Sequence, residues 1–146
     1  MDITYRWGIG PHSSLRAGLA YAVIVFAIGA ALGTIRVLFL APRVGAALAV
    51  SLEAPLMLVA SWWVSQQCVS YFRVCVQSPA PFLMGASAFV TLMLLEITLS
   101  AAVFDQSPTD YLLSFKSVPG AIGLAAQLAF AGIPLVQAST AEGRSR

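Results

Sequence analysis

Four polar side chains stand inside the long apolar stretches of this sequence: Arg36, Glu53, Glu96 and Gln127. Such groups are costly in hydrocarbon, turn inward, pair with one another and mark ion pathways or proton relays. One arginine would face two carboxylates here. With both acids ionised, the cluster would hold net negative charge in a poor dielectric. The expected state therefore has one acid ionised against Arg36 and the other protonated. A protonatable acid beside a fixed cation suits a proton-coupled or cation-binding site. The same set suits a clasp that only fixes helix register. The clasp is the leading expectation, and the proton or cation site is the alternative.

The clustering follows from depth. At about 1.5 Å of helix per residue, Arg36 lies roughly 6–9 Å below the end of its run, Glu96 and Gln127 about 12 Å and Glu53 about 14 Å. All four depths are counted from the same side. Four different helices thus bring one polar group each to a single layer.

Those helices are read from composition. The chain has 146 residues, 59% of them hydrophobic and only 10% charged, against about 25% charged in soluble domains. Apolar runs of about 20 residues match the ~30 Å hydrocarbon core of a bilayer. Four can be placed, at about 15–40, 44–64, 82–104 and 119–137. The fold class is an all-α four-helix transmembrane bundle over 15–137, with a cytoplasmic N-terminal tail at 1–14 and a cytoplasmic C-terminal tail at 138–146. The first run is too long for the ~7–15-residue apolar region of a secretory signal, and it reads as a retained span.

Small residues line the faces that carry the polar groups. Gly29 and Gly33 are four apart, and Arg36 follows on the same side. Gly85 shares a stripe with Glu96, and Gly123 shares one with Gln127. Small residues let helix backbones approach closely, so Gly29, Gly33, Gly85 and Gly123 are expected at helix–helix contacts.

Breakers and aromatics set the ends. Ala41-Pro42-Arg43 is expected to be a tight turn, because proline cannot continue a helix. Pro55 should kink the second span or free a carbonyl. Trp62 and Trp63 should mark the opposite interface, and Tyr5 and Trp7 should hold the N-terminal tail there. Ser107-Pro108-Thr109-Asp110 reads as a capped helix start. It predicts a short interfacial helix near 108–117, with Tyr111, Leu112 and Phe115 in the headgroup layer.

Orientation follows the basic residues of the short loops. Arg6, Arg16, Arg73, Arg144 and Arg146 lie on the side of the termini, whereas Arg43 and Lys116 lie on the other. Both termini are expected in the cytoplasm of a bacterial inner membrane that the chain crosses several times.

Several function classes drop out. The charge of +2 is too small and dispersed for nucleic acid. Cys68 and Cys75 stand seven apart, about 10 Å along a helix, too far for a disulfide within it. His12, in the tail, is the single histidine, so a bundle haem held by two histidines is excluded. No ligand spacing for zinc and no hydrolase, metalloprotease or phosphate-loop motif is present. No catalytic residue, metal or cofactor is expected, and the protein is read as non-enzymatic. Its partners are the bilayer and either copies of itself or other membrane subunits, because 146 residues make a thin bundle. As a role, an accessory or scaffold subunit of a membrane complex is expected first. The alternative is a small oligomeric transporter or channel that moves protons or cations through the Arg36, Glu53, Glu96 and Gln127 layer.

Overall fold

A computed structural model of the chain describes residues 11–75 and 79–144. The expected interfacial anchors Tyr5 and Trp7, and the basic residues Arg6 and Arg146, lie outside these residues. Among the described residues every regular element is helical, and four helices are long and apolar enough to cross a membrane. This is the architecture of a multi-pass membrane protein. With no water to pair the backbone, a spanning segment must satisfy its own N–H and C=O groups, which a helix does.

The first rod begins as α1 (Pro11–Ile35), loosens into one π-helical turn (Arg36–Leu40) and resumes as α2 (Ala41–Val44). Its apolar part, with that of the π turn, is long enough to span as one helix from His12 to Val44. The chain therefore does not turn at Pro42. Proline removes the donor that would pair the carbonyl four residues back. The π turn absorbs this loss: its wider loop carries the bond from the Ala41 N–H to the Arg36 carbonyl, five residues apart. The break falls instead at Gly45, whose φ of +83° suits a residue without Cβ.

Three further rods follow: α3 (Ala46–Tyr71), α4 (Ala80–Phe104) and, after the short α5 (Pro108–Ser114), α6 (Val118–Arg144). The spans expected at 15–40, 44–64, 82–104 and 119–137 are thus longer at most ends. The tails also differ from the reading, since helix already covers 11–14 and continues through 138–144. Hydropathy marks the stretch that suits hydrocarbon, whereas the helical ladder runs on into polar sequence.

Each connection has a local cause. Asp105, in the left-handed conformation at φ 51°, ends α4. Ser107 caps α5: its hydroxyl accepts from the Asp110 N–H at 3.1 Å and donates to the Asp110 carboxylate at 2.6 Å. Ser117 serves α6 likewise, accepting from the Gly120 N–H at 3.2 Å.

The rods alternate in direction and close a ring in which α1 and α6 each pack against both α3 and α4. Two glycines allow the closest approaches. A Cβ on Gly18 would collide with Ser87 and the Met84 carbonyl of α4, and one on Gly85 with the Ala131 carbonyl of α6. Leucine and valine face outward, at Leu38, Leu56, Val59 and Leu94 for example, while alanine and serine are buried at Ala17, Ala88, Ser61 and Ser65. This is the arrangement expected where lipid, not water, surrounds a bundle.

The main cluster of buried residues lies toward one end. Tyr21, Met84, Ala88, Val64, Cys68 and Phe130 fill the half nearer the 72–79 connection, here called the proximal half. Toward the distal end, that of Gly45 and the 105–117 connection, the rods enclose a hollow of about 720 Å³.

Candidate functional site

The hollow collects the polar layer. Arg36, Glu53, Glu96 and Gln127 all line it, one from each long rod. Arg36 is placed by the π turn, which opens with this residue. Such turns inside α-helices are frequent at functional sites. Across the α1–α3 seam the Arg36 Nε lies against the Glu53 Oε2 as an ion pair. The side chains keep 30% and 14% of their exposure, so the pair stands at the wall of the hollow and is not sealed in a core.

Glu96 forms the second group. Its Oε2 accepts from the Gln127 Nε2 at 2.5 Å and from the Tyr111 hydroxyl. Three elements therefore meet on one carboxylate oxygen: α4, α6 and α5. All four side chains share the wall of one hollow. The other amide atom of Gln127, Oε1, is buried without a partner. Burial, and then the neighbouring Glu96 carboxylate, raise the Tyr111 phenol above its ordinary value. Tyr111 therefore keeps its proton and remains a donor.

The four glycines singled out by the sequence lie in three kinds of surroundings. Gly85 stands at the α4–α6 contact. A Cβ on Gly29 would stand 3.1 Å from the Met57 methyl of α3. Gly33 and Gly123 line the hollow, as Gly29 also does: a Cβ on Gly33 would find only the Arg36 guanidinium within 4 Å, and one on Gly123 nothing. Gly18 makes an equally close approach between helices, against Ser87 of α4.

Two participants were not legible as such. The sequence pattern puts Tyr111 in the headgroup layer with Leu112 and Phe115. Leu112 and Leu113 are exposed, but Tyr111 is half-buried against Glu96. Its signal was the Ser107 cap, which fixes the direction in which α5 folds back over the end of α4. Gln106 is the other: it also lines the hollow and accepts from the buried Ser100 hydroxyl at 2.5 Å. Thr98, close in sequence to Glu96, is instead bonded to the Leu94 carbonyl at 2.7 Å.

The walls between these groups are apolar, with Val25, Phe26, Met57, Leu92, Leu99 and Phe130 among them. A concave, mostly apolar space with a few convergent polar groups is the usual form of a small-molecule site. The hollow is open and reaches the 105–117 connection through Phe115, Ser117 and Pro119. Among the described residues, no three His, Cys, Asp or Glu side chains group as a metal site, and both cysteines are free thiols. No protein-family model, curated protein or solved structure matches the chain.

Proposed function

We propose that the protein is a small transporter or channel that admits a proton or cation from the distal end and receives it at Glu96. The observation that carries this reading is the open hollow of about 720 Å³ at the level of the polar layer. A clasp that only fixes register works best with its polar groups packed shut, as Ser65, Gln137 and Trp62 are nearer the proximal end. There the Ser65 hydroxyl donates to the Gln137 Oε1 at 2.8 Å, and the Gln137 amide donates to the Trp62 carbonyl at 2.9 Å. The hollow shifts the balance from the scaffold role, expected first, to the transport role.

The division of labour follows the pairing. Arg36 and Glu53 neutralise each other and hold α1 to α3. Glu96 carries the exchangeable charge, held in place by Gln127 and Tyr111. The excess of basic residues around the termini supports an orientation with both ends in the cytoplasm, in which the hollow faces outward from a bacterial inner membrane. Exposed Leu112 and Leu113 support α5 lying in the headgroup layer. The protein acts without catalysis, as a homo-oligomer or beside other membrane subunits.

Flux in proteoliposomes tests this. Wild-type protein should pass protons or a monovalent cation down an imposed gradient, and Glu96→Gln should abolish the flux at unchanged protein level. Absence of wild-type flux under every gradient, with Glu96→Gln silent in cells, would return the chain to the scaffold role.

A further inference from the structure

We infer that the hollow is a binding site for an amphipathic organic cation, whose ammonium group replaces Tyr111 as a partner of Glu96 and whose apolar body fills the space between the four rods. This rests on the transport reading and names its solute.

The charge of the wall points to a cation. Among the described residues, Arg36 is the only cationic side chain lining the hollow, and Glu53 occupies it. Glu96 receives hydrogen bonds from an amide and a phenol, and neither brings positive charge. With both acids ionised, the site lacks one positive charge. A proton supplies it in one state, and a bound monocation supplies it in another.

The ligand set points away from a bare metal ion. Hard cations such as calcium take six to eight oxygen ligands. Here one carboxylate, already receiving two donors, is the only uncommitted charge, and no group of three metal-binding side chains exists among the described residues. An ammonium needs less, since one carboxylate satisfies a charged N–H donor.

The remaining surface fixes the rest of the molecule. Phe26, Met57, Leu92 and Phe130 offer apolar contact, which rewards burial at roughly 25 cal/mol per Å². A volume of about 720 Å³ is within the range that holds a drug-sized ligand. Gly123 faces that open space, since a Cβ there would meet nothing within 4 Å.

The test uses full-length protein in nanodiscs of uncharged lipid, titrated calorimetrically with phenylbutylammonium, phenylbutanol and phenylbutyrate, each corrected against empty discs. The ammonium should bind saturably, about tenfold or more tighter than the alcohol, and the carboxylate should not bind. Glu96→Gln should bring the ammonium and the alcohol to within about threefold of each other. Gly123→Leu replaces open space with a side chain and should weaken both ligands while the protein unfolds at an unchanged or higher temperature. Equal binding of alcohol and ammonium, a preference that survives Glu96→Gln, or no saturable binding to wild-type protein overturns the inference. Proton flux without ammonium preference would sink this site and leave the transport reading standing. Ammonium binding without any flux would do the reverse.

Discussion

The Tyr21 hydroxyl donates to the Phe130 carbonyl at 3.1 Å, and that carbonyl is the one Pro134 leaves without a helical partner. A residue at position 134 would normally pair with the carbonyl four residues back, but proline has no N–H. Tyr21 of α1 supplies the donor from across the bundle, and its ring stacks on Phe130 at 4.3 Å. Tyr21 and Pro134 are both fully buried, so water cannot take the place of the phenol.

Tyr21→Phe should therefore destabilise the protein by about 1–3 kcal/mol, the cost of an orphaned buried acceptor. Pro134→Ala restores the helical donor. In that background Tyr21→Phe should cost much less. Unfolding of all four variants in micelles measures the coupling, and additive effects would show that the phenol does not serve the carbonyl.

Arg36→Leu should strand the Glu53 carboxylate at the wall of the hollow. Removing one member of a buried pair costs about 3–5 kcal/mol, and the partial exposure of Arg36 places the expected loss at the lower end. The variant should accumulate poorly, and adding Glu53→Gln should restore its level. Equal accumulation of Arg36→Leu and wild type would mean that the pair contributes nothing.

The polar layer was legible in the sequence because helical rise converts residue number into depth, and an apolar run shows where depth begins. Arg36, Glu53, Glu96 and Gln127 needed nothing more. The part played by Tyr111 was hidden, because α5 periodicity separates its two faces but does not say what lies beneath. Gly33 and Gly123 show the same limit: spacing puts small residues on one side of a helix without revealing whether another helix or a hollow faces it. The turn was misplaced because Pro42 is the stronger breaker in isolation. A π turn, invisible to a count of apolar residues, moved the break to Gly45.

Glycines at contact and glycines at the hollow should respond oppositely. Gly85→Leu forces a side chain into the Ala131 backbone and should abolish protease-resistant protein. Gly33→Ala meets only the end of the Arg36 side chain, at 3.7 Å, and should leave resistance intact or improve it, since alanine gains up to about 1 kcal/mol over glycine within a helix. Limited proteolysis in membranes separates the outcomes, and similar loss in both would mean that the hollow closes in the folded protein.

Orientation is open to direct measurement. Reporter fusions after Arg144 and at Arg73 should register cytoplasm, and one at Asp110 should register the opposite side. A reporter after Arg144 that registers the outside would invert the proposed direction of access.

The Tyr21–Phe130 stack has one more consequence. The stack ties α1 to α6 within the packed proximal half, and Phe130 also lines the hollow. On the transport reading, a solute held at Glu96 must still pass the packed proximal half to cross. Passage to the other side requires α1 and α6 to part at that stack, and the Tyr21 bond to the Phe130 carbonyl must break as they do. The donor that repairs a proline's missing bond would thus also be the latch of an inner gate, and a chain using it would shuttle its cargo, one access at a time, and not conduct it in a stream.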